Sequence, residues 1–270
     1  MGRFLRGGAA LALTVATVLG AGAHGVLGAG PGQHARTNAA YGAATLYAQN
    51  GGIAQGSMAA MPSSEGLKTI LYVANLTPDQ IYSARIVHGA CGRTGATAFN
   101  LGDSQADTDG SIIPVATLPS MSIPARGLAV VVQQAKSGAP VVACGAIHPA
   151  GQVVHLNSVK TSIESAASGL ALISHVMGNR DMMGGSMEMG TEVVVYAQGL
   201  AVSTVHEDHI HAGACSPDKS GQVMHMLTDI ETNQNGEGVA STFISGMPSF
   251  SNQYINVHGV NLQPAACGNL

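Results

Sequence analysis

Short apolar runs, each bounded by turn-forming residues, recur along the chain about every 10–15 residues. They are rich in Val, Ile, Thr and Tyr, and Gly, Asp, Asn and Pro separate them, which is typical of antiparallel strands joined by turns. Strong helical periodicity is absent; only 161–176 fits a short helix, and its Ile and Leu content suits a strand equally. The pattern therefore predicts an all-β protein. The predicted strands include 126–133, 140–147, 191–200, 205–211, 237–244 and 253–260.

The first residues have the pattern of an export signal. Two arginines precede an apolar run at 9–19, and small residues follow at 21–23. The run is shorter than the roughly 20 residues of a transmembrane helix, although a retained membrane anchor is the alternative. We expect 1–23 to be a signal peptide and 24–37 a flexible lead-in, which predicts a secreted or extracytoplasmic protein with no membrane segment after cleavage. Export also predicts that paired cysteines form disulfides.

The chain contains an internal repeat. Its four cysteines fall into two pairs of almost equal separation, Cys91 with Cys144 and Cys215 with Cys267. The pairs begin with the similar phrases His-Gly-Ala-Cys and His-Ala-Gly-Ala-Cys, and both end in Ala-Cys-Gly. Chance explains so many coincidences poorly, so we infer a tandem duplication with units at 38–150 and 151–270.

Each unit fits a Greek-key β-sandwich of roughly seven or eight strands. Turn signals occur at matching places in the two units, Asp-Thr-Asp-Gly at 107–110 and Asn-Gln-Asn-Gly at 233–236. A disulfide that closes a loop of about 50 residues would stabilise each unit by about 4 kcal/mol in the chain-entropy model. The sequence thus predicts two tandem sandwiches, each with its own disulfide.

Composition excludes several partners. Charged residues make up only 10% of the chain, against roughly 25% in an ordinary soluble domain. The net charge is −4, and no block of Lys or Arg occurs. We therefore expect neither nucleic acid nor an anionic membrane surface as a partner.

Histidines concentrate in the second unit and suggest a metal site. His209 and His211 lie two positions apart in a predicted strand, so their side chains share one face, whereas His206 points to the opposite face. His258 lies in another predicted strand. Three imidazoles suit copper, zinc, iron or nickel. The alternative is a set of core or surface histidines whose ring nitrogens are satisfied by the protein.

These motifs resemble those of the copper/zinc superoxide dismutases and their superoxide-dismutase-like relatives. The residues that carry the resemblance are His206-x-x-His209-x-His211, Gly213, Cys215, Val257-His258 and Ala266-Cys267-Gly268. The resemblance covers 191–270 well and 151–190 only through the strand pattern. It implies that both units are Greek-key sandwiches of the superoxide-dismutase-like type.

The resemblance also implies a role for each histidine. In that family the His-x-His pair and a later strand histidine bind copper, the histidine upstream braces the strand, and the cysteine after the pair bonds to the terminal one. Carried over, the copper ligands are His209, His211 and His258, the brace is His206, and the disulfide is Cys215–Cys267.

The sequence departs from the family pattern on the zinc side. The family has a bridging histidine soon after the first cysteine, and here His225 is the candidate; it is either a fourth copper ligand or a strand histidine that faces solvent. The remaining zinc ligands are missing, so we expect one copper per chain and no zinc. Pro264 stands where the family has an arginine that guides superoxide. Residues 191–270 carry seven acidic residues and one basic residue, a surround that would repel an anion.

The first unit keeps the fold signals and loses the site. Its counterpart segment, 83–89, contains no His-x-His, and we interpret His88 as structural. We expect a degenerate sandwich without metal that supports the second unit.

A methionine tract precedes the second unit's histidines. Thioethers are soft ligands that select Cu(I), so the tract is a candidate for copper capture. The alternative is a flexible hairpin loop whose methionines pack loosely on the sandwich. The tract consists of Met177, Met182, Met183, Met187 and Met189.

Two functions from different classes remain at this point. The first is a copper-only superoxide dismutase, whose partner is superoxide. The second is a copper-holding or structural extracytoplasmic protein without turnover, whose partner is the copper ion. The fold does not choose between them, because one fold hosts many functions.

Overall fold

The computed structural model describes residues 41–270, except 120–122, 125, 160–163, 165, 180–186 and 217–220. The described residues form 19 strands and no helix, so the protein is all-β. Within 161–176, the segment whose sequence fits a helix or a strand equally, residues 168–176 form a strand. The proposed signal peptide at 1–23 and the lead-in at 24–37 lie outside the described residues.

The first antiparallel sheet spans residues 42–149. Its strands are β1 (Gly42–Ala48), β2 (Gln55–Ser63), β3 (Gly66–Ala74), β4 (Ile81–Ala90), β5 (Arg93–Gln105), β6 (Val115–Leu118), β7 (Leu128–Gln134), β8 (Val141–Ala146) and β9 (His148–Pro149). Their order is β5-β4-β7-β8-β1-β2-β3-β6, with β9 paired to β1. Because β1 pairs with β2 along its first part and with β8 at Tyr47 and Ala48, the sheet curls there into two halves.

The second antiparallel sheet spans residues 152–269. Its strands are β10 (Gln152–Ser158), β11 (Ser168–Asn179), β12 (Met187–Gln198), β14 (Asp208–Ala212), β15 (Val223–Met226), β17 (Gly238–Ser245), β18 (Gln253–His258) and β19 (Pro264–Asn269), while β13 (Val205–His206) and β16 (Ile230–Glu231) form a separate pair. Their order is β15-β14-β18-β19-β10-β11-β12-β17. If the strands of each sheet are numbered from its own first strand, leaving out β9, β13 and β16, both sheets have the order 5-4-7-8-1-2-3-6.

Each sheet closes over an apolar core. In the second sheet, Val193 and Val195 of β12 meet Ile210 of β14 and Ile255 of β18 in one buried cluster. These residues alternate with outward-facing ones along their strands, as expected when one face of each half is buried. The β14–β18 half therefore has an inner face on the core and an outer face away from it. We call that half, strands β14, β15, β18 and β19, the histidine sheet.

The two sheets also pack against each other through strands that do not belong to the histidine sheet. Their outer faces form a third buried cluster, whose members are Ala43, Ala59, Met61, Ile70, Leu172, Val194, Tyr196 and Val239. Polar contacts lie at its edge: Tyr72 Oη donates to Glu231 Oε2 (2.9 Å), and Lys68 is ion-paired with Glu237. We call this packed surface the junction.

Glu192 is a buried acid in the junction. Its Oε1 accepts a hydrogen bond from Thr45 Oγ1, and its Oε2 has no hydrogen-bond partner. Burial raises the pKa of this carboxyl above its ordinary value, an effect that the Thr45 hydrogen bond and the nearby His148 oppose. A raised pKa in the folded chain means that folding favours the protonated form. The free energy of unfolding therefore falls as pH rises from the unfolded pKa toward the folded one.

We expect Glu192→Gln to remove this part of the pH dependence. The variant should be more stable than the parent at neutral pH, because an amide does not have to ionise or take up a proton in the buried site, and the difference should shrink as pH falls toward about 4. Urea unfolding across that pH range measures it, with the exposed Glu65→Gln as control. Equal pH dependence in parent and variant would contradict the assignment.

Both disulfides pair as the repeat predicts. Cys91 is bonded to Cys144 and Cys215 to Cys267, with a Cα–Cα distance of 5.7 Å in each. No free cysteine occurs in the described chain. Two disulfides indicate an oxidising, extracytoplasmic setting. The described part of the chain holds no helix long and apolar enough to cross a membrane.

Candidate metal centre

Three histidines converge on the outer face of the histidine sheet. His209 and His211 alternate with Ile210 along β14; because Ile210 enters the core, both imidazoles lie on the other side. His258 ends β18, the strand beside β14, and its N–H donates to the carbonyl of Glu207 (2.9 Å). Strand alternation and one pairing register thus bring together residues about 50 positions apart in sequence.

The imidazoles are close enough to share one ion. The ring centroid of His209 lies 5.6 Å from that of His211 and 5.1 Å from that of His258. One ring nitrogen of each residue lies within 4.8 Å of the other two. His209 and His211 are 7% and 3% exposed, whereas His258 is half-buried. The cluster therefore opens toward solvent beside His258.

Backbone carbonyls orient two of the rings. Nδ1–H of His211 donates to the carbonyl of Gly221 (2.8 Å), and Nδ1–H of His258 donates to that of Leu262 (2.9 Å). With Nδ1 committed in each ring, Nε2 is left to accept: in His258 it lies within hydrogen-bond distance of Asn256 Nδ2 (3.1 Å), whereas in His211 it is available to a cation. Nε2 of His211 is buried and has no hydrogen-bond partner. A metal ion would satisfy that atom, so these residues fit a metal.

Burial favours the neutral form of the His209 ring. Desolvation lowers the pKa of its ring, and the nearby His258 and His211 lower it further, while Glu207 and Asp229 act in the opposite direction. Nδ1 of His209 lies 3.3 Å from Nε2 of His258. A neutral ring offers a lone pair for which protons compete weakly near pH 7, which favours metal binding.

His206 connects β13 to the end of β18, the strand that carries His258. It is buried, and its Nδ1–H donates to the backbone carbonyl of His258 (3.0 Å). Its Nε2 lies 2.8 Å from Oγ1 of Thr204. The ring therefore links β13 to the end of β18.

Two further side chains support the cluster from β18. Tyr254 stacks on His211, with ring centroids 5.2 Å apart, and its hydroxyl accepts a hydrogen bond from the N–H of Gly221. Asn256 is buried, and its Nδ2 donates to Nε2 of His258 (3.1 Å). Sequence reasoning missed both, although period-two alternation puts Tyr254 and Asn256 on the same face as His258. No sequence pattern predicts that the backbone carbonyl of Gly221 orients the ring of His211.

The structure does not bring His225 to the three rings. In the β14–β15 pairing His225 lies opposite Ile210, and residues opposite each other point to the same side of a sheet. Its ring contacts Phe250 with a centroid distance of 6.1 Å. His225 thus lies on the face that Ile210 shares, away from His209 and His211.

We expect His225→Ala to leave the Cu(II) spectrum unchanged. Its imidazole faces away from the cluster, so its loss removes no ligand. Electron paramagnetic resonance of the copper-loaded variant measures the ligand field directly. A changed nitrogen hyperfine pattern would show that His225 is a ligand.

The methionine tract is described only in part. Met182 and Met183 lie outside the described residues, and the side chain of Met187 is not described. Met177 and Met189 pair across β11 and β12 and are each 52% exposed. Both belong to the half of the sheet that does not carry His209, His211 and His258.

The first sheet holds different residues at the equivalent positions. Matching Ile86 of β4 to Ile210 of β14 aligns Arg85 with His209, Val87 with His211, and Gln133 with His258. Arg85 Nη2 donates to Oε1 of Gln133 (2.7 Å), so two of the three positions are joined by a hydrogen bond. His88 lies on β4 and is exposed. Arg85, Val87 and Gln133 therefore provide no imidazole at the three equivalent positions.

The cluster has the chemistry of a metal-binding site. Three imidazoles on two adjacent strands, two of them oriented by backbone carbonyls, suit copper, zinc, nickel or iron. Among the described residues no other group of three or more His, Cys, Asp or Glu side chains is arranged to hold a metal ion. No protein-family model matches the chain and no curated protein matches it, so its function is inferred from these side chains.

Proposed function

We propose that the protein is an exported copper protein that holds one copper ion at His209, His211 and His258. The observation that carries the proposal is the convergence of three ring nitrogens within 4.8 Å of one another, one of them buried without a partner. Copper is favoured over zinc because Cu(II) exceeds Zn(II) in affinity at a given site of nitrogen donors. Export by the signal at 1–23 agrees with the two disulfides.

The proposed fold is a tandem pair of Greek-key sandwiches of the superoxide-dismutase-like type. Its support is the strand order, in which the fourth and seventh strands pair and the third strand pairs with the sixth. The same order occurs twice in one chain. A duplicated unit that lost its imidazoles accounts for Arg85, Val87 and Gln133 in the first sandwich.

The proposed activity is superoxide dismutation. Bound copper would supply one-electron redox chemistry, alternating between Cu(II) and Cu(I). The chain's residues hold the ion with three imidazoles and leave its solvent side open beside the half-buried His258. Catalytic metal sites commonly keep such an open position for the substrate.

The charges around the site favour copper holding without turnover. Oε2 of Glu207 lies 4.0 Å from Nε2 of His209, and the carboxylate is half exposed. Pro264 stands where the dismutases have a guiding arginine, and 191–270 has a net acidic charge. An acidic rim attracts cations and slows the approach of superoxide.

A superoxide assay on the copper-loaded mature protein separates the two functions. Pulse radiolysis should show copper-dependent decay of superoxide that is lost in His258→Ala. Decay no faster than that of the apoprotein, with one copper bound, would assign the protein to copper holding. Failure to bind copper would reject both. Glu207→Gln should speed the decay if the acidic rim limits encounter.

A further inference from the structure

Two methionines on the edge strand β15 lie beside the metal centre. Met226 is opposite His209 in the β14–β15 pairing, so the two side chains share the outer face of the histidine sheet. Met224 lies two positions earlier, at an irregularity where β15 passes His211. Met224 is 46% exposed and Met226 is 65% exposed. Neither belongs to the methionine tract.

Their exposure is not explained by packing. Both side chains leave much of their surface in water, although Met normally fills gaps in a core. Between them His225 turns to the opposite face, toward Phe250. Met226 therefore presents its thioether on the outer face and His225 its imidazole on the other, while Met224 lies at the β-bulge next to Val223, the residue opposite His211.

We propose that Met224 and Met226 form a docking site for Cu(I), from which the ion passes to His209 and His211. The proposal rests on the proposed function, because it assigns an entry route to the same copper centre. Thioethers are soft ligands that favour Cu(I) over hard cations. They carry no proton that a metal must displace, so capture does not depend on pH.

The geometry suits transfer rather than storage. Cβ atoms of residues directly opposite in an antiparallel pair are about 4.5–5.5 Å apart, so the thioether of Met226 and the ring of His209 are within reach of one ion. Two thioethers leave coordination positions open for the molecule that delivers the ion. The three imidazoles then offer the more complete set of ligands. The ion moves as Cu(I) throughout, and no electron is transferred.

The chain supplies a matched control. Met177 and Met189 are a second cross-strand pair of exposed methionines, each 52% exposed, in the other half of the same sheet. They have the same thioethers and one histidine, His175, on the same face of β11, but no cluster of three imidazoles beside them. Leucine at either pair keeps the apolar volume and removes the sulfur.

The test is the rate at which apoprotein takes Cu(I) from a chromogenic Cu(I) chelator in anaerobic stopped flow. M224L/M226L should slow uptake by about tenfold or more, since it removes the soft ligands nearest the site, and should leave the final copper content unchanged. M177L/M189L should take up copper at the parent rate. Unchanged uptake in M224L/M226L, or slowing only in M177L/M189L, would overturn the proposal.

A second measurement separates failure of the docking site from failure of the copper centre. In H209A/H211A, Cu(I) added to the full chain should remain on Met224 and Met226, and its X-ray absorption should show sulfur neighbours that M224L/M226L removes. If the parent chain does not bind Cu(II) but H209A/H211A shows the sulfur signal, the proposed function alone is rejected. A parent that binds Cu(II), without any sulfur signal in H209A/H211A, would reject the docking site alone.

Discussion

His211→Ala should abolish stoichiometric copper binding at micromolar copper. The substitution removes one of three ligands, and the loss should exceed the roughly 10–100-fold that removal of an outer hydrogen-bond partner costs. His209 and His258 would then hold the ion alone, and the stack on Tyr254 would also be lost. Equilibrium dialysis followed by metal analysis measures the copper content.

The control for this experiment is His88→Ala. It removes an imidazole from an exposed position on β4 of the first sandwich, where no partner ligands surround it. Copper content should stay at the parent value. Full copper retention by His211→Ala and His209→Ala would show that the three-histidine site is not the copper centre.

Loss of the second disulfide should affect both stability and copper binding. Cys215 follows β14 and Cys267 lies on β19, so the bond spans β18, the strand between them that carries His258. Closing a loop of this length contributes about 4 kcal/mol in the chain-entropy model. We expect Cys215→Ser with Cys267→Ser to lower stability by about that amount and to weaken copper binding.

The disulfide of the first sheet provides a control for the disulfide of the second. Cys91→Ser with Cys144→Ser removes the equivalent bond of the first sandwich and should cost about the same stability, since the loops are of nearly equal length. It should leave copper affinity unchanged. Chemical denaturation and copper titration of both double variants test this, and equal copper affinity in the two would disprove the link between disulfide and site.

Much of the fold follows from local signals. The predicted strand at 237–244 and the observed strand Gly238–Ser245 differ by one residue, because alternation and turn residues are local properties. The turn at 233–236 forms because Asn233 Oδ1 accepts from the N–H of Asn235 and Gly236 adopts a positive φ of 70°. The junction could not be predicted, since its contacts join residues such as Thr45 and Glu192 from different sheets.

The candidate site, too, could be predicted from the sequence only in part. Period-two spacing selected His209 and His211, and a second strand supplied His258, all three of which the structure brings together. The carbonyls of Gly221 and Leu262 orient these rings, and a carbonyl carries no side-chain signature. His225 was harder to place, because β15 pairs with an irregular register that only the structure reveals.

The position of the junction gives the molecule two chemically different ends. The junction uses the outer faces of β1–β3 on one side and of β11, β12 and β17 on the other. Each sandwich therefore presents its β4–β7 or β14–β18 layer outward, one with Arg85 and Gln133 and the other with the histidines. Attachment of the chain to another body through the first end would leave the imidazoles accessible to diffusing ions. The junction thus occupies one side of each sheet and leaves the face with the three imidazoles uncovered by the other sheet.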